Sequence, residues 1–218
     1  MNIYIDIETI PTRDLVVIDE IISKMKPPAN YKNEEVIQKW IDGNKESAIL
    51  ETSFNPTAGQ ICAICFAVDD GDVVKLKQDE RIDEKQLINN FYSVLSEQLG
   101  RIRSGIWIAH NAEFDLRWLF VRSIINQSEN QGIIIPVDDR YGSFCTMNAW
   151  RGFRGKTGGS LASICRALNI KVKDGMDGSQ VWPEFQLGHF DKIAEYCADD
   201  VRACRSVYQQ IMKYKKRV

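Results

Sequence analysis

The 218-residue chain contains no run of about 18 apolar residues, so no membrane-spanning helix and no membrane partner are expected. Its start carries no basic leader followed by an apolar stretch, which argues against a secretory signal. Histidine is scarce. His110 and His189 are the only two, and they lack metal-ligand spacing. Repeats and low-complexity linkers are missing. Positive charge is not in excess either: 28 Lys and Arg stand against 30 Asp and Glu, for a net charge of −2. Global charge therefore gives no sign of a polyanion-binding surface, although bound cations can offset acids that face phosphates. Six cysteines lie scattered through apolar segments, which reads as buried thiols in a reducing cytoplasm. Cys62 and Cys65 form a C-x-x-C, but a strand would put them on opposite faces, against a metal or redox role. Gly155-Lys156-Thr157 mimics the end of a phosphate-binding loop. A true one needs Gly at position 150, where this chain has Trp150.

What is present suits one globular domain over residues 1–218, with 44% hydrophobic and 27% charged residues. Residues 2–8 alternate, with Ile3, Ile5 and Ile7 on one face and Tyr4, Asp6 and Glu8 on the other, which predicts a strand. Residues 11–58 interrupt the pattern as an insertion. It holds a helix around 15–24, a Pro27-Pro28 stop and a helix from Asn33 to about Leu50. A hairpin of strands follows at 60–68 and 73–77, turning at 69–72. An amphipathic helix is expected over 83–99, and a short strand at 106–109 leads into a helix from about Ala112. Short extended pieces are expected at 132–137 and 142–146. Ser160 caps a helix through Leu168, residues 174–185 read as an irregular Gly-rich loop, and Asp191 caps a final helix to about Tyr214. This order implies an α/β fold, a mixed sheet flanked by helices.

Three short motifs place acids where burial is expected. Asp6 and Glu8 lie two apart, on one face at the C-terminal end of an apolar strand, where two carboxylates can share a hard cation. The plain alternative is a solvated edge strand. Asp115 closes His110-Asn111-Ala112-Glu113-Phe114-Asp115, in a helix apolar nearly all round. Its alternative is an ion pair with Arg117 or Arg122, and Asn111 also suits the helix N-cap. In the last helix Ile193, Tyr196, Cys197, Asp200, Cys204, Val207, Tyr208 and Ile211 form a core stripe. Asp200 stands where a hydrophobe belongs, one turn from Tyr196. The alternative there is a buried Asp–Tyr hydrogen bond with no chemical role. A buried carboxylate is costly unless paired or metal-bound, so acids converging on one spot suggest a divalent-cation site.

In this order, D-x-E, N-x-x-F-D and Y-x-x-x-D resemble the DEDD superfamily of 3′–5′ exonucleases, which have the RNase H-like fold. The tyrosine resembles the DEDDy branch, above all the exonuclease domain of family-B DNA polymerases and its stand-alone bacterial and phage relatives. The histidine branch needs His five residues before the last Asp, where this chain has Glu195. The resemblance covers most of the chain but leaves out residues 11–58 and 150–190. It implies two divalent cations, Mg²⁺ or Mn²⁺. Asp6, Glu8 and Asp200 would hold the first, Asp6 would bridge to the second, and Asp115 would support the second. Tyr196 would orient the attacking water with Glu8. The Thr9 backbone would meet the terminal 3′-hydroxyl, Ile10 and Phe114 would pack against the last bases, and Asn111 would position the terminal nucleotide. The implied partner is nucleic acid with a free 3′ end, single-stranded DNA by preference. An exoribonuclease resembling RNase D shares the motif set, and a catalytically silent nucleic-acid-binding scaffold would keep the fold but lose an acid. All the acids are present here.

Outside the motifs, residues 151–156 alternate basic, Gly and aromatic residues, so Arg154 and Lys156 could clamp phosphates. The alternative is a solvated loop. The basic tail at 213–217 complements a helix C-terminus. No protein partner is legible.

Overall fold

A computed structural model describes residues 1–102, 104–137, 142–152, 155, 159–171 and 175–215. Five strands form one sheet in the order β3-β2-β1-β4-β5. They are β1 (Asn2–Ile10), β2 (Gln60–Val68), β3 (Val74–Lys77), β4 (Ile106–Ala109) and β5 (Ser143–Cys145). β1, β2 and β3 run antiparallel in sequence order, and β4 and β5 extend the sheet in parallel beyond β1. This mixed sheet, covered by helices on both faces, is the RNase H-like architecture.

Alternation along β1 builds the two cores. Ile3, Ile5 and Ile7 pack under α3 (Glu84–Leu99) and α4 (Ala112–Ile125) with Leu87, Phe91, Trp118 and Leu119. Tyr4 and Ile10 pack under α8 (Phe190–Lys215) with Cys197, Val201 and Tyr208. Asp83 caps α3 with a reciprocal Gln86 bond, which satisfies two orphan N-terminal donors. A buried ion pair joins the layers: Arg122 on α4 bonds Glu84 on α3, and Glu84 also accepts the Ile61 N–H at 2.7 Å.

The interruption after β1 contains α1 (Leu15–Lys24), α2 (Glu34–Leu50) and a 3₁₀ turn, Glu51–Phe54. Neither α1 nor α2 has a buried residue, so this helical pair projects from the body. Its two roots do not project. Pro11 and Thr12 are buried, and the Thr12 N–H donates to Thr52 Oγ1 at 2.8 Å. The protruding part is thus narrower than 11–58.

Several expectations change in detail. Residues 132–137 form no strand: Ile133 and Ile135 are buried and Ile134 is exposed, but no ladder partner meets them. The expected loop at 174–185 contains a 3₁₀ turn, Gly178–Gln180, and a short helix. That helix is α7 (Val181–Gln186), in which Pro183 sits in the first turn, where a missing N–H is harmless. Asp191 lies inside the first turn of α8 and pairs with Lys77, so it is not the cap. Two short helices, α5 (Thr146–Arg151) and α6 (Leu161–Ala167), follow β5, and α5 was not expected from the sequence pattern. Ser160 does cap α6. Among the described residues no helix is long and apolar enough to cross a membrane.

Candidate active site

The parallel pairing of β1 with β4 covers only Asn2–Tyr4 against Ile106–Ile108. β1 continues beyond this ladder, and its next residues include the acids. The Ile7 N–H, left without a strand partner on that edge, donates to Asp115 Oδ1 at 3.2 Å. One hydrogen bond thus brings the second motif to the first. The alternative ion pair with Arg122 is not formed, because Arg122 is committed to Glu84. Asp6 and Glu8 project from β1 towards α8, where the third motif lies. The Cys197 thiol donates to the Asp6 carbonyl at 3.2 Å, tying α8 to β1 one residue after Tyr196.

The electrostatics follow from this convergence. Burial, then the charges of Asp115, Glu8 and Asp200, push the Asp6 pKa well up. Glu8 is pushed well up by burial and then by Asp200 and Asp115. Asp115 is raised to about 8, mainly by burial, against the opposing pull of the Ile7 N–H. Asp200 is raised to about 6 by burial and by Asp199, and the Tyr196 hydroxyl opposes the shift. Tyr196 itself is pushed up, by burial and then by Asp200 and Glu8, so its phenol stays protonated. Four carboxylates from three remote segments therefore share one field.

Cation binding fits an orphaned atom at this spot: Asp6 Oδ2 is buried and has no hydrogen-bond partner. A buried oxygen without a donor is a liability that a cation removes. One ligand atom each of Asp6, Glu8 and Cys197 lie within 4.8 Å of one another. The sulphur is a poor third ligand. Burial pushes its thiol pKa well up, its proton is engaged with the Asp6 carbonyl, and hard cations prefer oxygen. Cys197 is a tether, and nothing in its place in an apolar stripe signals this.

The other residues expected at the site fare differently. The Thr9 hydroxyl donates to the Ser53 carbonyl at 2.7 Å, fixing the residue after Glu8 to the 3₁₀ turn. Ile10 is fully buried in the core under α8, so it offers no surface to a base. Phe114 is half-buried and packs on Trp118 with ring centroids 5.8 Å apart. Asn111 precedes α4 in the left-handed conformation, at φ 67° and ψ 45°, which Asn tolerates better than most residues. Its exposed side chain makes no capping bond, so the expected N-cap hydrogen bond is not formed. Arg154 and Lys156 lie outside the described residues. Cys62 and Cys65 do not alternate across the sheet. The β1–β2 register runs Glu8↔Ala63 and then Thr9↔Ile61, leaving Cys62 as the extra residue of a bulge. Both thiols consequently pack in the core under α8.

His110, which its spacing excludes as a metal ligand, has another task. Its Nε2–H donates to the Gly159 carbonyl at 2.7 Å, and Nδ1 meets Thr146 Oγ1 at 2.9 Å. Burial lowers its pKa, consistent with a neutral ring that straps α5 and the start of α6 beside the site.

No curated protein matches the chain. Among solved structures, the family B DNA polymerase of the archaeon Pyrobaculum calidifontis matches with a TM-score of 0.63 and 14% identity. The match covers 97% of this chain but 24% of that one, so this chain spans about a quarter of the polymerase's length. The likeness establishes the shared fold. A family model described as a predicted 3′–5′ exonuclease related to the exonuclease domain of PolB matches residues 52–218. The chain belongs to this family of 3′–5′ exonuclease-related domains.

Proposed function

We propose that the protein is a divalent-cation-dependent 3′–5′ exonuclease that removes nucleoside 5′-monophosphates from DNA. The observation that carries this reading is the field shared by Asp6, Glu8, Asp115 and Asp200, with Asp6 Oδ2 buried and unpartnered at its centre. Family membership supports the reaction class, and the family's relation to a DNA polymerase domain favours DNA. We read residues 1–218 as a single catalytic domain bearing the 11–58 insertion, working in the reducing cytoplasm that its free, mostly buried thiols suit.

Asp6, Glu8 and Asp200 would hold one Mg²⁺ or Mn²⁺, and Asp6 would bridge to a second. Asp115 spends one oxygen on the Ile7 N–H, and its other oxygen would support the second ion. Bound cations of this kind offset the carboxylate charge, activate a water and stabilise charge on the attacking and leaving oxygens. Tyr196 remains a phenol and orients the water together with Glu8. Water oxygen bonds to phosphorus while the bond from phosphorus to the 3′ oxygen of the preceding nucleotide breaks. That oxygen takes a proton, and the terminal residue leaves as a 5′-monophosphate. Thr9, held by Ser53, presents backbone to the terminal 3′-hydroxyl. Asn111 and the exposed part of Phe114 meet the terminal nucleotide, and Arg154 and Lys156 contact phosphates. Ile10 has no part in this set, because its side chain is core.

The test is a time course on a 5′-labelled single-stranded DNA and its RNA twin, with Mg²⁺ and with EDTA. Stepwise shortening of the DNA in Mg²⁺ alone is expected. Faster shortening of the RNA would turn the assignment to an exoribonuclease. Binding without any cleavage would turn it to a silent scaffold.

A further inference from the structure

Charge is distributed unevenly along this chain. Residues 140–173 contain seven basic residues and no Asp or Glu. At the chain's average density a stretch of 34 residues would hold about five acids, so the lack is not a matter of composition. The rest of the chain carries 21 basic and 30 acidic residues, a net charge of −9. The near-neutral total conceals a strongly basic segment inside an acidic protein.

The fold lays the described parts of this segment, 142–152 and 159–171, beside the carboxylates. The segment leaves the site at Thr146, whose hydroxyl donates to the Ala109 carbonyl and meets His110. It returns at Gly159, held by the His110 ring. α6 then packs on α8 just past Asp200, with Ile164 and Cys165 against Ala203 and Val207. The Asp200 charge reaches Cys165 and, after burial, helps push its thiol pKa up. Arg166, the next residue, is exposed, as is Lys171. On α5, Trp150 is 43% exposed and stands beside Arg151.

We propose that Arg166 and Lys171 form a basic wall that holds the phosphate backbone of single-stranded nucleic acid on the 5′ side of the reacting end. This deepens the exonuclease reading and rests on it. An acidic centre repels the phosphates it must receive. Screening confines the remedy to cations within about 10 Å at 0.1 M salt. An exposed aromatic among cations adds a sequence-tolerant stacking surface, and Trp150 provides it. The wall makes substrate capture depend on several nucleotides, while the carboxylates act on the last one.

The experiment compares wild type with the pair Arg166→Glu/Lys171→Glu and the milder pair Arg166→Gln/Lys171→Gln, on a dT 20-mer and a dT trinucleotide. Both residues are exposed, and circular dichroism checks that the fold is kept. Metal-free anisotropy should show the 20-mer bound about tenfold more weakly by the Glu pair at low salt, with a smaller loss for the Gln pair. The slope of log K against log salt should flatten by about 1.4 in the Gln pair, from about 0.7 for each phosphate that a cation no longer neutralises. In Mg²⁺, KM for the 20-mer should rise with kcat kept, and trinucleotide turnover should be unchanged. An unchanged Kd and salt slope would overturn the wall, as would an equal loss on both substrates. If wild type degrades neither substrate in Mg²⁺ or Mn²⁺, the exonuclease reading falls, and the anisotropy series still decides the wall.

Discussion

Metal-free protein should lose stability as pH rises from 6.5 to 8. Asp6 and Glu8 have pKa values well above the usual carboxylate range, and Asp115 titrates at about 8. In the unfolded chain all three are ionised across this window. The folded state therefore binds more protons than the unfolded state, and stability falls with increasing pH at about 1.4 kcal/mol per pH unit for each retained proton. Over the window this amounts to about 2 kcal/mol per carboxyl that keeps its proton, or about 4–8 °C in Tm for a chain of this size. The limits of the window matter. Below it His110, whose pKa is lowered by burial, adds a dependence of opposite sign. Above it the buried thiols of Cys62, Cys197 and Cys204, pushed up by burial, add one of the same sign. The assay is thermal unfolding by circular dichroism in EDTA at closely spaced pH values, repeated with Mn²⁺. Tm should fall by at least about 4 °C in EDTA, and the fall should shrink with Mn²⁺, which stabilises the ionised acids. Asp6→Asn should flatten the EDTA curve. A Tm that is level or rises between pH 6.5 and 8 in EDTA would refute the shared carboxylate field.

Three further outcomes are expected. Tyr196→Phe should slow cleavage about 10²-fold through misplacement of the water, with Mn²⁺ binding by calorimetry kept. Arg122→Met, which leaves Glu84 buried and charged, should destabilise the fold by about 3–5 kcal/mol in urea unfolding, and adding Glu84→Gln should recover most of the loss. Gly59→Ala puts a Cβ 2.4 Å from the Thr52 carbonyl oxygen and 2.9 Å from that of Ile10, with the Trp118 ring 2.8 Å away. Crowding against backbone on two sides should destabilise by about 1–3 kcal/mol, read from the same urea transition.

Local chemistry made much of the fold legible. Alternation gave β1 its two faces, and α1 runs from Leu15 to Lys24 as its apolar pattern and Pro27-Pro28 stop suggest. Asn33, Asp83 and Ser160 cap their helices as short polar residues should. What stayed hidden depends on distant partners. The bulge at Cys62 is a property of two strands in register, so no pattern within β2 shows it. The roots of the α1–α2 pair are pinned by Thr9–Ser53 and Thr12–Thr52 bonds across some forty residues. α7 was masked by Gly175, Gly178 and Pro183, although its Val181 and Phe185 bury against the α8 core. The same logic divides the site. Asp115, Tyr196 and Asp200 stood out because polar groups interrupt apolar patterns, and Asp6 and Glu8 because they share one face at the end of an apolar strand. Ile10 did not, because an isoleucine looks alike whether it faces a base or a core. The Cys197 tether and the His110 strap depend on contacts that only folding creates.

The central claim is that acids from three motifs work as one catalytic centre. Its most direct test is exonuclease activity of Asp6→Ala, Asp115→Ala and Asp200→Ala on 5′-labelled single-stranded DNA in Mg²⁺, beside wild type, with folding checked by circular dichroism. The account predicts that wild type shortens the strand stepwise from its 3′ end and that each variant folds but leaves the DNA uncut. Near-wild-type cutting by any one of the three would contradict it.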